Sequence, residues 1–199
     1  MNIVCLDMEG VLTPEIWIAF AEASGIPQLR CTTREEPDYD KLMRWRIALL
    51  REKGLGLHEI REVIAAVDPL PGAKDFLDRL RRLVPTVILS DTFEEFTAPL
   101  MEKLGQPLLL CNSLEVDERG FILSHRMRIK DSKLTTVRAL QSIGYDTLAA
   151  GDSFNDIAML RASRAGFLFR TSEAVRQANP DLPAFEEFDD LLAAISAAL

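Results

Sequence analysis

Two short segments place acidic side chains directly after an apolar run. Asp7-Met8-Glu9-Gly10-Val11 follows Asn2–Leu6, and Gly151-Asp152-Ser153-Phe154-Asn155-Asp156 follows Thr147–Ala150. Neighbouring acids in different environments can divide the roles of nucleophile and proton carrier. Carboxylate and amide oxygens of the second segment are hard ligands suited to Mg²⁺. Taken singly, each segment also fits a solvated loop or a helix N-cap.

A hydroxyl and a lysine add groups that can hold an anion. Ser90-Asp91-Thr92 follows the apolar run Thr86–Leu89, where a hydroxyl and free backbone N–H groups ahead of a helix form a phosphate cradle. Lys133 begins the helical pattern Leu134–Ile143, and a positive charge there opposes the helix dipole unless an anion lies nearby. An N-cap and a solvated lysine are the ordinary alternatives for these two features.

The elements that must position these groups alternate between strand and helix. Periodic apolar residues between the strands predict amphipathic helices with buried faces ending at Leu83, Ile143 and Leu199. Leu114–Leu123, with its turn at Asp117–Gly120, predicts a small β-hairpin beside the sheet. This alternation predicts an α/β fold, a Rossmann-like, mainly parallel sheet flanked by helices, whose strand ends gather the polar segments at one edge. The predicted parallel strands are Asn2–Leu6, Thr86–Leu89, Leu108–Cys111, Thr147–Ala150 and Gly166–Phe169.

One segment interrupts the alternation. Between Thr13 and Asp68 the sequence shows three helical patterns, about Glu15–Ser24, Tyr39–Lys53 and His58–Val67, and no convincing strand. Pro and Gly residues separate these patterns. The sequence therefore predicts a helical cap, residues 13–69, inserted into a core domain formed by residues 1–12 and 70–199.

Composition excludes several classes of protein. The chain has 199 residues, with 23 basic and 31 acidic side chains and a net charge of −8, which argues against a nucleic-acid or anionic-membrane partner. Two histidines without metal spacing disfavour a zinc site or a Ser-His-Asp triad. The first apolar run stops at Asp7, so we expect neither a signal peptide nor a membrane span. An odd number of cysteines without a C-x-x-C pair predicts reduced thiols and a cytoplasmic protein; they are Cys5, Cys31 and Cys111.

Taken together, the polar segments resemble the motifs of the haloacid dehalogenase superfamily of aspartyl-phosphate phosphatases. That superfamily has Asp-x-Asp, then a Ser or Thr after a strand, then a Lys, then Gly-Asp-x-x-x-Asp. The resemblance covers essentially the whole chain, including a helical cap between the first two motifs. In this sequence the motifs fall on Asp7-Met8-Glu9, Ser90, Lys133 and Gly151-Asp152-Ser153-Phe154-Asn155-Asp156.

The resemblance implies a Mg²⁺-dependent phosphotransfer enzyme. Asp7 would attack phosphorus to form a covalent aspartyl-phosphate, and Glu9 would serve as general acid and base. Mg²⁺ would be held by Asp7, Asp152 and the Glu9 position, the last through its main-chain carbonyl, with Asp156 orienting the metal site from behind. The phosphoryl group would be held by Ser90, the Asp91 main chain, Lys133 and Asn155.

Within the superfamily the chain most resembles the bifunctional phosphoserine phosphatase/homoserine phosphotransferase, which carries the same Glu9 in place of the usual Asp. The longer side chain shifts the carboxyl by roughly 1.5 Å, about one C–C bond. By the same resemblance, Glu15 would bind the substrate ammonium and Arg46 its carboxylate. Arg44, on a different helix face, is the alternative to Arg46. Homoserine would serve as a second phosphate acceptor, because it exceeds serine by a single methylene.

Two other functions remain open at the level of the sequence. A phosphatase of the same fold can act on another small phosphomonoester, because the cap determines the substrate. A receiver-type signalling module also combines Asp, Mg²⁺, Ser or Thr and Lys, but its phosphorylated Asp follows a middle strand, where this chain has Ser90-Asp91. Receivers also lack a helical insertion after the first strand. The sequence leaves both a monomer and a homodimer open.

Overall fold

A seven-stranded sheet forms the centre of the molecule in the computed structural model, which describes residues 1–32, 35–36 and 38–199. The strands are β1 (Asn2–Leu6), β2 (Thr86–Phe93), β3 (Leu109–Val116), β4 (Ile122–Arg126), β5 (Asp146–Gly151), β6 (Ala165–Phe169) and β7 (Ala184–Phe185). Their order is β4-β3-β2-β1-β5-β6-β7, and every pair is parallel except β3 with β4. The predicted α/β fold is confirmed.

Helices cover both faces of this sheet. They are α1 (Ile16–Ser24), α2 (Tyr39–Glu52), α3 (Leu57–Ala65), α4 (Ala73–Leu83), α5 (Glu94–Lys103), α6 (Ser132–Ser142), α7 (Ile157–Ala162), α8 (Glu173–Ala178) and α9 (Phe188–Ala197). Alternate residues of a strand point to opposite faces. Thus Val4 and Leu6 pack in a cluster with α4, α5 and α9, whereas Ile3 and Cys5 pack in a second cluster with α6, α7 and α8.

The described part of the predicted cap is helical, and its helices begin and end within two residues of the predicted bounds. Its apolar side chains are not a separate core. Phe20, Met43 and Ile64 belong to the same buried cluster as Phe76 of α4 and Phe96 of α5. The division into residues 13–69 and the remainder stays a prediction. None of the described helices has the length and apolar character needed to cross a membrane.

Two strands differ from the predicted bounds by more than one residue. Strand β2 continues to Phe93, so Ser90-Asp91-Thr92 lie in its last part rather than after it, where the pairing with β3 shifts register between Leu89 and Phe93. The predicted strand Leu108–Cys111 and the first arm of the predicted hairpin form one strand, β3. In β2 and in β3 the apolar run is interrupted by polar residues, Ser90 and Asn112, but the backbone hydrogen bonding of the strand continues past them. The hairpin itself is confirmed, with β4 as the edge of the main sheet.

The last apolar residue of each predicted buried helix face is exposed, so the prediction was wrong at these three positions. Leu83, Ile143 and Leu199 are 56%, 71% and 41% exposed, whereas their partners Leu80, Val137 and Ile195 are fully buried. Each of the three lies at the last residue of its helix or beyond it. At the end of a helix and beyond it, the helical period no longer determines which side chains are buried.

Candidate active site

The carboxyl ends of β1 and β5 bring Asp7 and Asp152 side by side. These strands are parallel neighbours with Leu6 opposite Ala150, and the Asp7 backbone N–H donates to the Ala150 carbonyl at 2.9 Å. Each aspartate follows its strand by one residue on the same edge of the sheet. Ligand sites of parallel sheets lie at this edge.

A buried lysine joins two of the aspartates. The Lys133 Nζ lies 2.8 Å from Asp7 Oδ1 and 2.7 Å from Asp156 Oδ1. Burial alone would lower the pKa of Lys133, but the charges of Asp7 and Asp156 outweigh it and raise the pKa. Burial and the charge of Asp156 raise the pKa of Asp7 well above its ordinary value, although Lys133 acts in the opposite direction. The site therefore holds more negative charge than Lys133 neutralises.

Carboxylate oxygens of three aspartates form a cluster with the composition of a Mg²⁺ site. One oxygen each of Asp7, Asp152 and Asp156 lies within 4.8 Å of the others. Burial and the charge of Asp156 raise the pKa of Asp152 to about 7. Among the residues that the structure describes, no cationic side chain pairs with Asp152. Hard oxygen donors with uncompensated negative charge suit Mg²⁺, so these residues fit the predicted metal.

Two glycines permit this close arrangement. Gly10 has φ of +78°, and a Cβ there would lie 2.4 Å from the Asp152 Cγ. A Cβ on Gly151 would lie 2.4 Å from the Asp156 Cγ. The Asp156 carboxylate in turn accepts the backbone N–H groups of Asp152 and Ser153, both at 3.0 Å. The two glycines thus leave room for the Asp152 and Asp156 side chains, and the backbone hydrogen bonds fix the Asp156 carboxylate.

Glu9 points toward the start of the cap. Its Oε2 accepts the backbone N–H of Ile16 at 3.0 Å, and its carboxyl forms a hydrogen bond with that of Glu15. Burial, then the charge and the hydrogen bond of Glu15, raise the pKa of Glu9 to about 8. A carboxyl with this pKa retains a proton near neutral pH and can donate it, which fits the predicted acid/base role.

Ser90 and Asp91 lie on β2, beside β1. Ser90 is buried, and its Oγ accepts the backbone N–H of Thr92 at 3.2 Å. Asp91 Oδ1 accepts the hydroxyl of Ser132, the residue before Lys133, at 2.8 Å. The Asn155 amide nitrogen lies 3.5 Å from Asp91 Oδ2, and Asn155 itself is exposed. The structure thus links the predicted phosphate-holding residues through Asp91.

The two arginines that the sequence offered for the substrate carboxylate differ sharply. Arg46 is 4% exposed; its guanidinium donates to the Cys31 carbonyl at 2.7 Å and lies 4.3 Å from the centre of the Trp17 ring. Within the described residues it pairs with no carboxylate, and its Nε has no hydrogen-bond partner. Arg44 is exposed and paired with Asp40 on the outside of α2. Of the two arginines, Arg46 is the buried one, and it has no acidic partner among the described residues.

Three contacts of this site were not anticipated from the sequence. Tyr39 OH and Asn112 Nδ2 both donate to the Asp91 carbonyl, at 3.2 and 3.0 Å, and Ser132 holds the Asp91 carboxylate. In the sequence, Tyr39 is marked only as the first residue of a helical pattern. Asn112 lies inside a strand with no signal to distinguish it. Ser132 had one signal, its position beside Lys133.

Comparisons with known proteins agree with this geometry. The model of the haloacid dehalogenase-like hydrolase family matches residues 1–164. The phosphoserine phosphatase ThrH of Pseudomonas aeruginosa is 51% identical over 191 residues, which cover 96% of this chain and 93% of that protein. A phosphoserine phosphatase of Pseudomonas syringae pv. tomato is also 51% identical over 191 residues, covering 96% and 81% of the two chains.

Solved structures share the fold. A phospho-aspartyl intermediate analogue of phosphoserine phosphatase superposes with a TM-score of 0.77 at 18% identity, covering 97% of this chain and 98% of that one. A substrate-bound phosphoserine phosphatase complex gives a TM-score of 0.74 at 18% identity, covering 94% and 93%. The match over most of the chain, the two relatives at 51% identity and the acidic site at the sheet edge lead to one conclusion: this chain is a member of the haloacid dehalogenase-like hydrolase family.

Proposed function

We propose that this protein is a phosphoserine phosphatase that works through an aspartyl-phosphate on Asp7. The observation that carries the mechanism is the buried Asp7 carboxylate at the end of β1, held 2.8 Å from Lys133 and beside Asp152. The names of the two relatives at 51% identity support phosphoserine as the substrate. The assignment of phosphoserine as the substrate therefore rests on these relatives and not on the geometry around Asp7.

The reaction is a double displacement at phosphorus. An Asp7 carboxylate oxygen forms a bond to phosphorus while the bond between phosphorus and the serine oxygen breaks. The Glu9 carboxyl, with its pKa raised to about 8, gives its proton to the departing serine oxygen. Water then attacks phosphorus, Glu9 takes a proton from it, and the Asp7 carboxylate is released with inorganic phosphate. Lys133 stays beside Asp7 and offsets the negative charge of the phosphoryl oxygens.

Asp7, Asp152 and the main-chain carbonyl of Glu9 would hold Mg²⁺. The ion, when bound, supplies positive charge that allows an anionic carboxylate to approach an anionic phosphate. Asp156 is engaged by Lys133 and by two backbone N–H groups, so it orients the neighbouring groups rather than serving as a free ligand. The Glu9 side chain is turned to Ile16 and Glu15, which leaves its carbonyl as the contribution of this position.

Arg46 and Glu15 would bind the head group of the substrate. Phosphoserine carries one carboxylate and one ammonium, and its pocket needs one cation and one anion. Arg46 is a buried cation without an acidic partner among the described residues, and Glu15 lies against Glu9 at the start of α1. Arg46→Ala should therefore weaken phosphoserine turnover far more than turnover of an ester without a carboxylate. Equal losses on both substrates would assign Arg46 to the fold instead.

The test of the mechanism is the nucleophile. With Mg²⁺ present, the wild-type protein should release phosphate from phosphoserine, and rapid quenching with ³²P-labelled substrate should leave label on the protein. Asp7→Asn should show neither turnover nor label while keeping the circular dichroism spectrum of the wild type. Robust turnover by Asp7→Asn would overturn the mechanism. A screen of other phosphomonoesters under the same conditions tests the alternative of a different small substrate.

Transfer to homoserine is a second activity that Glu9 favours. A phosphoenzyme reacts with whichever hydroxyl is positioned beside it. The pocket vacated by serine would admit homoserine, since one methylene is worth only about 1–3 kcal/mol of discrimination. Rising homoserine at fixed phosphoserine should convert released phosphate into phosphohomoserine. If phosphate stays stoichiometric with serine at every homoserine concentration, the protein is a hydrolase only.

A further inference from the structure

The main-chain carbonyl of Asp91 receives two side-chain hydrogen bonds from different parts of the molecule. Asn112 Nδ2, on β3 of the sheet, donates at 3.0 Å, and Tyr39 OH, on α2 of the cap segment, donates at 3.2 Å. A carbonyl has two lone pairs and accepts both. The Asn112 amide is itself fixed, because its Oδ1 accepts the backbone N–H of Arg128 at 2.9 Å. Asn112 therefore holds Asp91 from the core, and Tyr39 holds it from the cap.

Asp91 lies between the two groups that face the phosphate in the proposed reaction. Ser90 precedes Asp91 on β2, and the Asp91 carboxylate accepts the hydroxyl of Ser132 at 2.8 Å. Ser132 opens α6, whose next residue is Lys133, paired with Asp7 at 2.8 Å. A displacement of Asp91 thus reaches both Ser90 and Lys133. Misplacement of such groups by about 1 Å can cost about 100-fold in rate.

Tyr39 is the first residue of α2, the helix that also carries Arg46. Asp38 caps this helix by accepting the Lys41 N–H at 3.0 Å, which fixes the first turn. The Tyr39 ring packs edge-on against His125, with ring centres 6.1 Å apart. Burial and the charge of Asp91 raise the pKa of Tyr39, so the phenol stays protonated and donates. Within the described residues, no other hydrogen bond joins residues 13–69 to the segment Ser90-Asp91-Thr92.

We propose that Tyr39 is a positioning residue that transmits the seating of α2 to the phosphate-holding segment. Because Tyr39 begins the helix that carries Arg46 and its hydroxyl holds the Asp91 carbonyl, the position of α2 sets the position of Asp91. This contact involves no substrate atom, so it positions Asp91 for every phosphate ester that the site accepts, together with Asn112. This proposal rests on the proposed function, because it assumes that Ser90 and Lys133 face the phosphate.

Tyr39→Phe removes the hydroxyl and keeps the ring against His125. We expect kcat/KM for phosphoserine to fall about fivefold, the usual effect of one lost hydrogen bond. Turnover of para-nitrophenyl phosphate, which has no carboxylate, should fall by a similar factor, because the contact with Asp91 does not involve the substrate head group. In an Arg46→Ala background, Tyr39→Phe should cause the same further loss, since Arg46 acts on the head group and Tyr39 on the phosphate-holding segment. Asn112→Ala should slow both substrates, because Asn112 holds Asp91 with either one.

Tyr145 provides the matched control, because it is the other tyrosine of the chain and lies before β5 among the side chains of the second core cluster. Tyr145→Phe should leave both activities and the circular dichroism spectrum unchanged. Unchanged turnover of both substrates by Tyr39→Phe would overturn the positioning role, and a loss confined to phosphoserine would assign Tyr39 to the head group instead. Failure of the proposed function would appear differently, as a wild-type protein that releases no phosphate from phosphoserine.

Discussion

The ammonium of Lys133 is the principal counter-charge of the acidic site. It is buried and contacts Asp7 at 2.8 Å and Asp156 at 2.7 Å. Its loss would leave two carboxylates buried without compensation. In a substrate-free active site this is a matter of stability as much as of catalysis, because a buried charge without a partner is strongly unfavourable.

Lys133→Ala should lower the free energy of unfolding by about 3–5 kcal/mol in metal-free buffer, the cost of breaking a buried pair from one side. Urea denaturation measures this loss. Lys74→Ala is the matched control, because Lys74 pairs with Asp78 on the exposed surface of α4 and should cost no more than about 1 kcal/mol. The double variant Lys133→Ala/Asp7→Asn should recover part of the loss. Equal losses for the two lysines would contradict this electrostatic account.

The same excess of negative charge predicts stabilisation by a divalent cation. A ligand that binds only the folded protein stabilises it by about 2.7 kcal/mol at 100 times its Kd. MgCl₂ should therefore raise the melting temperature of the wild type in the absence of substrate, and EDTA should reverse the rise. Asp152→Asn removes one carboxylate of the cluster and should abolish the shift. A shift of equal size in Asp152→Asn would place the cation elsewhere.

At the scale of elements, the turn after β1 brings two strand ends into contact. Gly10 has φ of +78° and leaves no room for a side chain beside Asp152. A methyl group there would push the Asp152 carboxylate away from Asp7. The turn between β1 and the cap thus depends on glycine for two separate reasons, backbone conformation and space.

Gly10→Ala should lower kcat by about 100-fold through displacement of Asp152. Gly25→Ala separates the two reasons, because Gly25 ends α1 with φ of +68° and a Cβ there meets nothing within 4 Å. This control should lose about 1 kcal/mol of stability from left-handed backbone strain and keep its activity. Steady-state kinetics and thermal melting of both variants give the comparison. An equal loss of kcat in the two variants would show that Gly10 is needed for its backbone conformation and not for the space beside Asp152.

The elements were predictable from the sequence where burial is continuous. An apolar run such as Asn2–Leu6 specifies a central strand, and its bounds were predicted correctly. The continuation of β2 through Ser90 was not, because a polar residue within a strand resembles the end of one. The two-residue strand β7 lacks a run long enough to predict.

The acidic cluster was predictable because its motifs lie at the ends of strands that pair. Asp7 and Asp152 meet through the register of β1 with β5, which the parallel sheet imposes. The support around Asp91 was not predictable. Asn112 is 21 residues further along the chain, and Tyr39 lies in another part of it. Such long-range contacts between side chains leave no local pattern in a single sequence.

At the scale of the whole molecule, the cap segment and the core share one apolar cluster. Phe20 and Met43 of the cap segment are buried together with Phe76 and Leu100 of the core helices. The Trp17 ring lies edge-on to Phe96 of α5, with ring centres 5.7 Å apart. Segments joined by a continuous cluster lose their packing together, so two independent unfolding units are not expected.

Both tryptophans of the chain, Trp17 and Trp45, lie in residues 13–69, so their fluorescence reports the surroundings of the cap segment, including the contact of Trp17 with Phe96. Circular dichroism at 222 nm reports all helices. We expect the two signals to share one melting temperature, because the cluster that includes Phe20 and Phe76 unfolds as a unit. Trp45 is 41% exposed, so Trp45→Phe leaves Trp17 as the single probe of the contact with Phe96 with little loss of packing. A fluorescence midpoint below the circular dichroism midpoint would show that the cap segment melts first. The shared cluster would then be too weak to couple the two parts.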